Sequence, residues 1–140
     1  MSGPFVLDAS MTLSWAFQSE SSPLTDTILN SLASVHAVVP ALWAFEVVSG
    51  LCTAERRGRM DVAAQAAFVE RLRLLPIVVE HRPAAWLAQQ VLPLARKYRI
   101  SAYDAAYLDM ALREKLPLAT LDVDLGRAAT AAGVALVAAV

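Results

Sequence analysis

One cysteine, two histidines and two lysines are all that this chain of 140 residues carries of those types. Cys52, standing alone, excludes an internal disulfide and any cysteine-based zinc site. Its place in a helical apolar pattern predicts a buried, inert thiol. His36 and His81 are too few and too scattered to be given a catalytic role. Long hydrophobic runs are lacking too. The richest, from Val35 to Leu51, is broken by His36, Pro40, Glu46 and Gly50, whereas a spanning helix needs about 20 apolar residues. No basic segment followed by an apolar stretch and a cleavage site opens the chain. A cytoplasmic protein with no membrane partner is therefore expected. Charge excess is absent as well, with 12 Lys and Arg against 13 Asp and Glu and a net charge of −1. Any nucleic-acid binding must then rest on local clusters of cations rather than on a global field.

What is present is apolar residues, at 57% of the chain and a mean hydropathy of +0.49. That is enough for one domain over residues 1–140 with a proper core, and the surplus suggests a fully covered sheet and a partner surface. Short apolar runs alternate with helical patterns. Strands are expected at 4–7, 37–39, 76–79, 118–120 and 134–136. Helices are expected at 10–17, 23–34, 41–57, 61–74, 83–98 with a kink at Pro93, from Ser101 toward the turn at Pro117, and at 125–132. Ser22 with Pro23, Asp61 and Ser101 supply helix starts, and Gly58 a helix stop. Strands separated by helices imply a mainly parallel sheet of about five strands with helices on both faces, a three-layer α/β/α sandwich.

In such folds the carboxyl ends of strands and the first turns of the following helices share one edge, where ligands bind. Asp8 directly follows the first strand. Glu46 lies in the second turn of the helix after the second strand. Asp104 lies in the first turn of the helix before the fourth strand, and Asp122 two residues beyond that strand. Each has a plainer explanation: Asp8, Asp122 or Asp124 as helix caps, and Asp104 as the fourth residue of a Ser101 capping box. Glu46 is harder to dismiss, because its helical neighbours are mostly apolar and no lysine or arginine shares that face. Two carboxylates ~4 Å apart repel by roughly 4 kcal/mol at an effective dielectric of 20. A cluster of four needs a counter-charge, and an oxygen-only donor set favours Mg²⁺ or Mn²⁺. The chemistry that follows is phosphodiester hydrolysis.

The segments FVLDAS, PALWAFEV, SAYDAAYLDMA and LATLDVDL resemble, in order, the four blocks of PIN-domain nucleases. The size and spacing are similar to the VapC toxins of bacterial toxin–antitoxin pairs. Carried over residue by residue, the resemblance implies acidic site residues at Asp8, Glu46, Asp104 and Asp122, with Asp124 as an extra or substitute. It also implies supporting hydroxyls at Ser10 and Thr120. It further implies an endoribonuclease dependent on Mg²⁺ or Mn²⁺, a homodimer, and a small antitoxin protein as partner. Trp15, Phe17, Leu24 and Ile28 could form a groove for a partner helix, or simply belong to the core. Arg96, Lys97 and Arg99, just before Ser101, are candidates to hold RNA phosphates; Arg56, Arg57 and Arg59 form a second basic cluster that equally suits a solvated helix end. Three rivals remain. A haloacid-dehalogenase-like phosphohydrolase would use Asp8 as nucleophile, but it needs a lysine near the site, and the only lysines are Lys97 and Lys115. A phospho-receiver module has the same need. The third is a non-catalytic interaction domain, against which the complete acid set argues.

Overall fold

Phe5, Val6 and Leu7, three consecutive side chains with no solvent exposure, form the central strand β1 (Phe5–Leu7) in a computed structural model describing residues 3–138. A strand covered on both faces reads as an unbroken apolar run, and each of these side chains contributes about 1.5–3 kcal/mol relative to exposure. β1 pairs in parallel with β2 (Ala37–Pro40) on one side and β4 (Leu118–Ala119) on the other. β2 in turn pairs in parallel with β3 (Ile77–Glu80), giving the order β3-β2-β1-β4.

The chain therefore steps outward from β1 through β2 to β3, then returns to the far side of β1. The first steps use α1 (Ala9–Ser14) and α2 (Pro23–Ser31), then α3 (Leu42–Arg56) and α4 (Val62–Arg73). The return uses α5 (Ala84–Trp86), α6 (Leu92–Tyr98) and α7 (Ala102–Glu114). Right-handed crossovers in opposite directions put these two sets on opposite faces of the sheet. The direction reverses between β1 and β4. The last helix, α8 (Val123–Ala131), follows β4.

The parallel α/β architecture agrees with the sequence reading, with two corrections. The sheet has four strands among the described residues rather than about five. Val134–Leu136 makes only a single parallel bridge, Leu118 to Leu136, because β4 is two residues long and offers nothing further to pair. The helix expected over 83–98 is three pieces, α5, a π-helical turn at Leu87–Val91, and α6. Pro93 lacks an N–H and crowds the carbonyl four residues earlier, so the preceding turn widens instead of bending as one kink.

Of the two readings offered for the early helices, core membership holds for Ile28, which is fully buried, and Trp15 and Leu24 pack partly buried against that core; Phe17 is half-buried, and the four do not line one groove. Trp15 Nε1 is committed to the Thr25 carbonyl at 3.0 Å. Cys52 is exposed, not buried. The inward stripe of α3 is Trp43, Val47, Leu51 and Ala54, and a residue next to Leu51 points ~100° away from it.

The packing of α3 on α1 sets up the site. Trp43 Nε1 donates to Thr12 Oγ1 at 3.0 Å, and Thr12 Oγ1 donates to the Asp8 carbonyl at 3.1 Å. The helices approach closely at Gly50, where a Cβ would fall 2.4 Å from Leu13 Cδ1.

Candidate active site

Asp8 ends β1 and Asp122 follows β4, so the two flank the point where the chain's winding direction reverses, the usual ligand crevice of such sheets. Asp8 is 4% exposed. Its Oδ2 accepts from Ser10 Oγ at 2.6 Å and from Thr120 Oγ1 at 2.6 Å. Ser10 Oγ also accepts the Leu121 amide at 2.9 Å, and Thr120 Oγ1 accepts the Asp122 amide at 3.0 Å. Two hydroxyls thus tie the end of β1 to the end of β4. Asp8 occupies the position before α1 but makes no side-chain capping bond, so the capping explanation fails for it. Burial pushes its carboxyl above the usual range, against the hydrogen bonds from Ser10 and Thr120 and the nearby amides of Ala9 and Ser10.

Glu46 lies one turn beyond Trp43 on α3. Its partner is Tyr107, whose hydroxyl donates to Glu46 Oε1 at 2.7 Å. Burial raises the Glu46 carboxyl, the Tyr107 bond opposes this, and the charges of Asp8 and Asp122 raise it further. Tyr107 is itself fully buried on α7. Burial, the bond to Glu46 and the nearby carboxylates push its ionisation far up, so it remains a donor at any physiological pH. The sequence reading missed Tyr107. Its signal was available: a phenol three residues after Asp104, on the helix turn that faces the strand ends.

Asp104 is half-buried in the first turn of α7. Ser101 Oγ accepts the Asp104 amide at 3.0 Å, which is one half of a capping box. The reciprocal bond from the Asp104 carboxylate is not made among the described residues, leaving that carboxylate free. Its pKa rises to about 6, first through burial and then through the charges of Asp122, Asp8, Glu46 and Asp124. Asp122 does act as a cap, its Oδ1 accepting the Leu125 amide at 2.8 Å. Asp124 is exposed and lies 3.9 Å from Arg127.

The four predicted acids are thus within electrostatic reach of one another, and among the described residues none of them has a cation as ion-pair partner. The three hydroxyl donors and the one capping amide leave each acid at least one oxygen with no side-chain donor. Among the described residues no three His, Cys, Asp or Glu side chains converge closely enough to grip an ion as they stand. The donor set is nevertheless all oxygen and strongly anionic, which suits a hard divalent cation. Asp109 makes a useful contrast. It is 6% exposed but carries its own counter-charge, Arg113 Nε at 3.0 Å.

Arg96, Lys97 and Arg99 are exposed at the end of α6 and in the turn before Ser101, and none has an ion-pair partner among the described residues. Arg99 takes the left-handed conformation there, with φ 55°.

The PIN domain family model matches residues 5–131. The chain belongs to the PIN domain family. Solved structures with the same fold include PAE2754 from Pyrobaculum aerophilum, 22% identical, covering 91% of this chain and 86% of that one with a TM-score of 0.69. FitAcB from Neisseria gonorrhoeae is 20% identical, covering 96% of each chain with a TM-score of 0.63. VapC20 from Mycobacterium tuberculosis, described as a sarcin–ricin loop cleaving toxin, is 18% identical, covering 91% of this chain and 95% of that one with a TM-score of 0.60. No curated protein matches the chain. Membership of this family replaces the dehalogenase-like and receiver readings.

Proposed function

We propose that the protein is a VapC-type endoribonuclease that hydrolyses RNA phosphodiester bonds at Asp8, Glu46, Asp104 and Asp122 with Mg²⁺ or Mn²⁺. The observation that carries this reading is the uncompensated set of four carboxylates at the reversal point between β1 and β4, with Asp104 raised to a pKa of about 6 first by burial and then by its acidic neighbours. When bound, a divalent cation supplies the charge that admits a phosphodiester to this edge and acidifies water for attack.

The chain's own residues fix the donors. Ser10 and Thr120 occupy Oδ2 of Asp8 and leave Oδ1 without a side-chain donor. Tyr107 occupies Oε1 of Glu46 and leaves Oε2. The Leu125 amide occupies Oδ1 of Asp122 and leaves Oδ2. Asp104 keeps both oxygens, and Asp124 stands beside it in reserve. Arg96, Lys97 and Arg99 are proposed to hold backbone phosphates on the Asp104 side.

The toxin reading is supported by the likeness of fold to VapC20 and brings with it a small antitoxin protein as inhibitor. A homodimer fits the exposed apolar side chains Phe45 and Val48 on α3. Among the described residues no helix is long and apolar enough to cross a membrane, and the proposed place of action is the cytoplasm. The decisive experiment is Asp104→Asn. It is expected to abolish Mg²⁺- or Mn²⁺-dependent RNA cleavage while the circular dichroism spectrum stays unchanged. Cleavage at the wild-type rate by that variant would sink the proposal.

A further inference from the structure

A groove of about 380 Å³ starts at Ser10, one of the two hydroxyls that clamp Asp8, and at Leu121, whose amide Ser10 accepts, and runs between α1 and the C-terminal half of α3 to Arg57 and Arg59. Its volume is in the range of small-molecule sites, ~300–1,000 Å³. Gly50 contributes no side chain to it, and Ser49 and Thr53 line it with hydroxyls.

The far end carries two cations with different jobs. Arg59 is immobilised: its guanidinium carbon lies 3.9 Å from the centroid of the Phe17 ring, and its Nη2 holds Glu20 Oε2 at 2.9 Å. Its side chain nonetheless stays 45% exposed. A guanidinium held over a ring, with almost half of its side chain open to solvent, offers a surface on which a planar base stacks. Arg57 is exposed at the end of α3 and has no ion-pair partner among the described residues, so its charge is free for a phosphate. The helix dipole explains a cation at the end of α3, but it does not explain why Arg59, beyond that helix, is pinned over Phe17 in the same groove.

Resting on the nuclease reading above, we propose that this groove is a subsite for one nucleotide of single-stranded RNA flanking the scissile phosphate. The base lies on the Arg59–Phe17 stack and the adjacent phosphate meets Arg57. This gives the strand a second electropositive hold, on the Ser10 side of the acids, opposite the Arg96–Arg99 cluster.

The test uses the full chain carrying Asp104→Asn, so that RNA is bound and not cut, with a fluorescein-labelled 12-nucleotide single-stranded RNA of mixed sequence read by anisotropy. Adding Arg57→Glu is expected to weaken binding at least 10-fold. Arg71→Glu, an equal charge change on α4, is expected to alter it less than 2-fold. Adding Arg57→Ala should lower the slope of log affinity against log salt by about 0.7, the value for one single-strand phosphate contact. A 4-thiouridine in the RNA should crosslink to the peptide containing Phe17 or Arg59. Equal losses for the Arg57 and Arg71 variants, or no loss for either, would overturn the subsite and leave the nuclease reading intact. Failure of the parent protein to bind RNA, with no cleavage by wild type, would overturn both.

Discussion

The Tyr107 hydroxyl reaches Glu46 across 61 positions of sequence, donating to Oε1 at 2.7 Å from a residue with no solvent exposure. The bond joins α7 to α3 and supplies the only side-chain donor that Glu46 has among the described residues. Removing it in Tyr107→Phe leaves the ring packing in place. A hydrogen bond to a charged group contributes about 1.5–3 kcal/mol, and groups that orient metal ligands typically alter affinity or activity by about 10–100-fold. Mn²⁺ binding followed by electron paramagnetic resonance is therefore expected to weaken by at least 10-fold, and Tm to fall by roughly 5–10 °C. Wild-type Mn²⁺ affinity in the Phe variant would show that Tyr107 only fills space.

The clamp on Asp8 makes a second, separable prediction. Ser10 and Thr120 donate to the same oxygen at the same 2.6 Å distance, so each can partly cover for the other. Ser10→Ala and Thr120→Val alone are expected to cost about 1 kcal/mol each. The double variant should cost more than their sum, since Asp8 then loses both side-chain donors while nearly buried. Thr120→Ser keeps the hydroxyl and should behave as wild type. Chemical denaturation of the four variants tests this, and strict additivity would mean the two hydroxyls act independently.

The addresses of Asp8, Glu46, Asp104 and Asp122 were legible because a parallel α/β chain brings strand ends and the adjoining helix turns to one edge, whatever the details of packing. Tyr107 was passed over because it lies in the run Ala105–Ala111, which is buried throughout and reads as core; its spacing of three from Asp104 was the one signal to the contrary. Distinguishing Asp104 from Asp109 needed only the spacing to Arg113, four residues on, a standard helical ion pair. The short fourth strand and the π turn before Pro93 depend on competition between backbone pairing and tertiary contact, which local pattern does not weigh. The choice between groove and core for Ile28 stayed open, and the exposure of Cys52 was misjudged, for a related reason. Helical periodicity says which residues share a face, but the neighbouring elements decide which face turns inward.

Arg113 separates structural acids from site acids. It binds Asp109 at 3.0 Å and Glu80 at 2.7 Å with its own side chain 20% exposed. Arg113→Met strands Asp109 as a nearly buried carboxylate without a partner, which costs about 3 kcal/mol and should lower Tm by roughly 10 °C for a domain of this size. Adding Asp109→Leu should recover a large part of that loss. Neither change touches the four-acid edge, so Mn²⁺ affinity is expected to stay at the wild-type value. A parallel loss of metal binding would contradict the division between the two sets of acids.

The pH dependence of the metal-free protein tests the electrostatics of the edge directly. Asp104 has a folded pKa of about 6 against an ordinary value of 3.8. Between those values the folded state holds more protons than the unfolded state, so stability falls as pH rises through this window. The full cost of ionising Asp104, first from its burial and then from Asp122, Asp8 and Glu46, is present above pH 6 and absent below the unfolded value. Asp104→Asn is permanently neutral and escapes that cost. Without metal it should therefore be more stable than wild type at pH 7.5, by a few degrees of Tm because solvent screens a half-buried group. The advantage should shrink to nothing as pH falls toward 4. Mn²⁺ at saturating concentration should reverse the order at pH 7.5, because binding stabilises only the folded chain that holds the ion. Equal melting temperatures for the two metal-free proteins across this range would mean that the four carboxylates do not repel one another as the structure requires.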